Sequence, residues 1–214
     1  LAAASLTQPF ERLGAHLEDD GFPVAFSFGG SSALVAQARS GAEADVLATA
    51  DAQTMQAAED AGVLASEPRV FARNRLTIAV PEGNPGDVTG LADDLSRPDL
   101  QVALCEPQVP CGAASQRLLE IAGVEARPDT LESDVKAAAG KVELGEVDAA
   151  LVYRTDVTDR MEQIDVPEAD QVVNEYLIAV LAAAPDPSGA ESFIDAVTGE
   201  DGRRLLAEAG FELP

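Results

Sequence analysis

The sequence predicts an α/β protein of two lobes, each a mainly parallel sheet flanked by helices. Two observations carry the parallel sheets. The first sixty or so residues read as strand, helix, strand, helix, strand, helix, an order that joins parallel strands through helical crossovers. From Arg75 onward a second strand, loop and helix arrangement of the same kind begins, without any sequence repeat of the first. A third observation divides the chain. Two apolar stretches, residues 76–80 and 176–181, read as strands that cross from one lobe to the other and back. Lobe 1 then comprises residues 1–76 and 182–214. Lobe 2 comprises residues 77–181, an insertion of about a hundred residues and so of ordinary domain size.

Each element has a local cause. Residues 1–3 read as the end of a first strand, an opening expected where a leader and a few preceding residues have been removed. Ala4-Ser5-Leu6-Thr7 follows, and Pro9 suits the first turn of a helix. Phe10, Leu13 and Leu17 give that helix one buried face, and Gly21 ends it after an acidic cluster; His16 reads as a surface or boundary residue. In residues 24–40, VAFSFGGSSALVAQARS, Phe26 and Phe28 alternate as in a strand and Gly29-Gly30 turn the chain. Ser31 or Ser32 then opens a helix through Leu34 and Val35. A third strand spans residues 44–50, and a helix from about Asp51 to Ala61 stops at Gly62.

The second unit starts with the strand RLTIAVP, residues 75–81, and a turn at Glu82-Gly83-Asn84-Pro85-Gly86. A helix is expected near residues 91–95, a strand at 101–104, a helix at 113–122, a further segment at 133–139 and a strand at 149–153. After the apolar strand at 176–182 and Pro185-Asp186-Pro187, the closing helices carry Phe193, Ile194, Val197, Leu205 and Leu206.

Charge and cysteine content narrow the function. With 38 acidic against 14 basic residues the formal net charge is -24, which argues against nucleic acid and anionic membranes as partners, since both are polyanions. No apolar run approaches the roughly 20 residues that span a bilayer. Cys105 and Cys111 close the short proline-rich loop CEPQVPC. In an exported protein they are expected to form a disulfide, and in a reducing compartment to remain two partly buried thiols; the disulfide is the favoured expectation. His16 is the only other soft ligand, too few for a structural zinc site.

The residues also argue against an enzyme. Ser5, Ser31 and Ser32 have no histidine partner beyond the distant His16, and neither a GxSxG elbow nor a phosphate loop ending in Gly-Lys-Ser/Thr is present. What recurs is uncharged donors at the starts of helices: Ser5, Ser31, the Pro110-Cys111-Gly112 turn, and Tyr153 at the end of an apolar strand. The first amides of a helix lack intrahelical acceptors and carry the positive end of the dipole. Each of these positions reads equally well alone as a cap, a core-edge aromatic or half a staple.

Taken together and in order, AAASLT, SFGGSSAL, GAEADVLATAD, NRLTIAVPEGNP, CEPQVPCG, ALVYRTD and the closing AEAGFELP resemble the periplasmic molybdate-binding proteins of ABC transporters, the ModA family. The resemblance covers almost the whole chain. It implies a type II periplasmic-binding-protein-like fold with a ligand cleft between the lobes, no enzymatic activity and no cofactor. The ligand would be molybdate or tungstate, bound through its oxygens and handed by a monomer to a membrane permease. It further implies an extracytoplasmic protein, lipid-anchored if a leader supplies the anchor. Carried over motif by motif, the ligands would be Ser5 with the turn near Ala3, Ser31, the amide of Cys111, the amide of Val135 in ESDVK and the phenol of Tyr153. The resemblance also leaves sulfate open as a ligand, phosphate if Asp134 turns inward, and a ligand-sensing receptor module as an alternative role.

Overall fold

The computed structural model describes residues 1–214, the side chain of Asp93 excepted. In chain order its strands are β1 (Ala2–Ala3), β2 (Phe28–Gly29), β3 (Val46–Thr49), β4 (Arg69–Pro81), β5 (Val102–Cys105), β6 (Thr130–Glu132), β7 (Ala149–Tyr153), β8 (Met161–Ile164) and β9 (Val173–Val180). Its helices are α1 (Thr7–Asp19), α2 (Ser31–Arg39), α3 (Ala52–Asp60), α4 (Leu91–Asp94), α5 (Pro110–Ala122), α6 (Val135–Glu143), α7 (Pro187–Thr198) and α8 (Glu200–Glu208). The chain forms two compact units, Leu1–Arg73 with Glu175–Pro214, and Asn74–Asn174.

In unit 1 the sheet runs in the order β2, β1, β3, β9. The first three strands are parallel, with Ala3 opposite Gly29 and Ala2 opposite Ala48, and β9 lies antiparallel to β3 from Val46 opposite Val180 to Thr49 opposite Leu177. One side of this sheet is sealed by Leu34 and Val35 of α2, Met55 and Ala58 of α3, and Leu47, Ala179 and Leu181. Each large apolar side chain removed from water there contributes about 2 kcal/mol. Elsewhere in the unit Phe10 packs on Phe26, Phe71 and Phe193, with ring centroids 5.6 to 6.0 Å apart. Gly14 on α1 is required by this cluster, because a Cβ there would stand 2.6 Å from the Phe26 ring.

In unit 2, β5 is the centre of a parallel set with β6 and β7, and β4 runs antiparallel to both β7 and β8. Leu118 of α5, Val142 of α6, and Ile78, Leu151 and Val152 of the strands are fully buried. The alternating β-α connections thus produce parallel sheets, as the element order predicts.

Several boundaries differ from the sequence expectation, each for a packing reason. The second crossing falls between Asn174 and Glu175, not after residue 181, because residues 177–180 pair with β3. The first falls between Arg73 and Asn74, where Arg73 exchanges backbone bonds of 2.7 and 3.0 Å with Glu212. In residues 22–28 Phe22, Val24, Phe26 and Phe28 do alternate in burial with Pro23, Ala25 and Ser27, but the ladder with β1 covers only Phe28 and Gly29. The alternation there reflects rings settling on α1 and α7 more than strand pairing. Helix α5 begins at Pro110, three residues earlier than expected, with proline at its first position. Strand β8 went unanticipated, since only the ends of Met-Glu-Gln-Ile are apolar.

Candidate functional site

The donors of unit 1 come from adjacent strand ends. Because Ala3 pairs with Gly29, the chain leaves β1 and β2 side by side, at the carboxyl edge where parallel sheets take their ligands. After β1, Ala3 turns into a short 3-10 segment, Ala4–Leu6, that leads into α1. After β2, Gly30 serves as N-cap and Ser31 is the first residue of α2, so the amides of that first turn have no helical acceptor. Ala3, Ser5 and Ser31 are all buried. Ser5 Oγ lies 2.9 Å from the phenol oxygen of Tyr176, a bond in which either can donate. Ser31 Oγ accepts from the amide of Ala50, at the end of β3, at 3.1 Å.

Unit 2 repeats the plan with different groups. Its three parallel strands β5, β6 and β7 end at Cys105, Glu132 and Tyr153. Behind β5, the Cys105–Cys111 disulfide, 5.7 Å between Cα atoms, ties the strand end to the first turn of α5. Gly112, the next residue, sits so close to the loop that a Cβ on it would meet the carbonyl oxygen of Glu106 at 1.9 Å. Behind β6, Asp134 caps α6 by accepting from Ala137 N at 3.0 Å, and Val135 is the first helical residue. At the end of β7 the phenol oxygen of Tyr153 accepts from Asn174 Nδ2 at 3.0 Å. Cys111, Val135 and Tyr153 are buried as well.

These contacts give the hydroxyls a direction. A hydroxyl has one hydrogen and two acceptor lone pairs. When its oxygen already accepts from the protein, its hydrogen is the part left to give to a ligand. Ser31 is arranged this way, and Ser5 is if Tyr176 donates to it; the Tyr153 phenol likewise accepts, from Asn174. An acceptor-only ligand, a fully ionised oxyanion, matches such groups together with helix amides. Groups of three or more histidine, cysteine or carboxylate side chains suited to a metal ion are absent among the described residues. His16 is exposed on α1.

The backing residues Tyr176, Ala50 and Asn174 were not singled out in the sequence. Tyr176 carried the one available signal, a polar-tipped ring opening an otherwise apolar strand. A separate cavity of about 660 Å³ in unit 1 is lined by Phe10, Phe22, Phe26 and Phe193 with Leu1 and Asp45. It lies at the amino ends of β1 and β3 and includes none of the hydroxyl donors.

Known proteins resemble the chain along its whole length. The family model described as bacterial extracellular solute-binding protein matches residues 1–212. The molybdate-binding protein ModA of Mycobacterium bovis is 41% identical over 218 residues, covering 100% of this chain and 83% of the relative. The Escherichia coli protein of the same name is 26% identical over 228 residues, 99% of this chain and 87% of the relative. Among solved structures, the periplasmic molybdate-binding protein of Azotobacter vinelandii superposes with a TM-score of 0.85 at 20% identity, covering 100% of this chain and 98% of that one. The sulfate-binding protein SubI of Mycobacterium tuberculosis superposes with a TM-score of 0.78 at 18% identity, covering 99% and 85%.

Proposed function

Because the chain belongs to the bacterial extracellular solute-binding protein family, and so acts outside the cytoplasm and binds a solute without transforming it, we propose that its solute is molybdate. Tungstate, of the same charge and shape, is its second ligand, and a membrane permease of an ABC transporter receives the cargo from a monomer. Ser5 with the turn at Ala3, Ser31, the Cys111 and Val135 amides and the Tyr153 phenol are the donors.

The observation that carries this reading is the backing of the hydroxyls. Ser31 accepts from the amide of Ala50, which leaves its hydrogen for an anion with nothing to donate in return, and the Tyr153 phenol accepts from Asn174. The identity of 41% to a molybdate-binding protein across the full chain supports the choice of ligand. Dehydrating a dianion is costly, so several aligned donors must replace its water, each charge-assisted bond supplying about 1.5–3 kcal/mol.

Phosphate fits less well. At neutral pH it carries a proton and calls for an acceptor, and Asp134, the carboxylate beside Val135, has one oxygen turned to the Ala137 amide as the cap of α6. Sulfate matches in charge and shape and differs in size, so cavity dimensions must decide. Calorimetry of the purified chain with molybdate, tungstate, sulfate and phosphate tests the proposal directly. Binding of the two metal oxyanions at one site per chain, with sulfate weaker and phosphate silent, is expected. Tight sulfate or phosphate binding without a molybdate response would overturn it.

A further inference from the structure

Asp156 is among the most deeply buried charged groups of unit 2, 1% exposed, and it belongs to neither donor set. It ends the 3-10 turn Arg154–Asp156 that leaves Tyr153. Both its carboxylate oxygens are closed off from solvent, and the ammonium that faces them is Lys136 Nζ, 3.0 Å from Oδ1. Lys136 is the second residue of α6, directly after Val135. The pair therefore joins two separate strand ends: the start of the helix that follows β6 and the turn that follows β7. The same turn is held from its other side by Asn74 Nδ2, which donates to Thr155 Oγ1 at 2.8 Å.

Burying a lone carboxylate is costly, and the nearby Asp134 adds to the cost, so burial and that repulsion push Asp156 upward while Lys136 opposes them. Such pairs rarely add net stability over an apolar substitute; what they supply is a fixed geometry, and removing one partner is far worse than removing both.

We propose that Lys136 and Asp156 are positioning residues that hold the first turn of α6, with its Val135 amide, against the phenol of Tyr153, so that both donors keep one spacing suited to a single oxyanion. The inference rests on the oxyanion reading above for its ligand and on the Lys136–Asp156 geometry for its mechanism. It differs from a plain charge effect in sign. On charge alone, replacing a buried carboxylate near a dianion site tightens binding; on geometry, it loosens the donors and weakens binding.

The test is molybdate calorimetry on Asp156→Asn, Lys136→Met and the double variant, with Lys136→Arg as the charge-preserving control. Each single variant is expected to weaken binding about tenfold, the order of one misaligned charge-assisted donor. The double variant should be no worse than the worse single, and Lys136→Arg should recover most of the loss. Tighter binding by Asp156→Asn, or dissociation constants within about twofold of the parent while the melting temperature falls, would overturn the proposal and leave a merely structural pair. Should the parent not bind molybdate, hydrogen exchange of the ligand-free chain still decides. Faster exchange at the Ala137 and Ala138 amides in Asp156→Asn, with the first turn of α5 unchanged, supports the strut, and unaltered exchange overturns it.

Discussion

Tyr176→Phe is the most informative single change to unit 1, because it removes one oxygen from a wholly buried ring that stays packed between Phe71 and Phe211. Ser5 Oγ and the Tyr176 phenol are 2.9 Å apart. If the serine gives its only hydrogen to an anion, the bond to Tyr176 must then be donated by the phenol. Deleting that donor withdraws a neutral hydrogen bond of about 0.5–1.5 kcal/mol, a loss of roughly two- to twelvefold in affinity. Ser5→Ala removes the charge-assisted bond itself, about 1.5–3 kcal/mol and so roughly twelve- to 160-fold. Where the Tyr176 phenol serves the anion through Ser5, the double variant should bind no more weakly than Ser5→Ala. Calorimetry with molybdate on the three variants, beside their thermal denaturation, measures this. Unchanged affinity in Tyr176→Phe, or losses that add in the double variant, would refute the reasoning.

Other expectations follow from the same geometry. Gly112→Ala should destabilise the chain by about 3 kcal/mol and abolish tight binding, because its Cβ collides with the Glu106 carbonyl; a near-parental urea midpoint would contradict this. Replacing Cys105 and Cys111 with serine opens a loop of sequence separation 6 and should cost about 2 kcal/mol by loop entropy, read in denaturant melts under oxidising conditions. Asp94 is nearly buried, which alone raises its pKa, but bonds from Thr89 and Gly90 and the Arg97 pair outweigh that and hold it below the ordinary carboxylate value of 3.8. Its stabilisation is thus present above that value and lost as pH falls through the folded pKa, so Asp94→Asn should be less stable at neutral pH and converge on the parent only once pH has fallen through that depressed pKa. With a net charge of -24, association with a dianion should speed up as salt is added; stopped-flow rates that fall with salt would point to a local positive field.

Strand-to-helix junctions were legible because their causes are local. Gly29-Gly30 followed by serines states where a helix begins without reference to anything distant, whereas the proline before Cys111 was read as a turn and proved to be the first residue of α5. What stayed hidden depended on register between remote segments. Tyr176 backs Ser5 across 171 positions, and Ala50 backs Ser31 across 19; neither partner is written near the residue it serves. The assignment of residues 177–180 to unit 1 was hidden for the same reason, since an apolar run shows that a strand is buried and is silent about which sheet it joins. The disulfide was favoured from the two cysteines on the condition of an exported protein, whereas Lys136 and Asp156, ordinary members of a charged sequence, became distinctive only once burial was known.

The neutrality of the proposed donor set suits the composition around it. There are 14 basic residues to 38 acidic ones, and among the described residues at least ten of the basic side chains, from Arg12 with Glu208 to Arg204 with Asp201, already stand opposite carboxylates. A guanidinium placed at a ligand site in such a chain would face the same competition. Backbone amides and hydroxyls cannot be drawn away by an ion pair, do not titrate near neutrality and are held by the strand ends that carry them. In a chain this acidic, dipoles at the carboxyl edges of its sheets are donors that surrounding charge cannot neutralise, and the role proposed for Lys136 agrees with that: its charge faces Asp156, and what it would offer an anion is position.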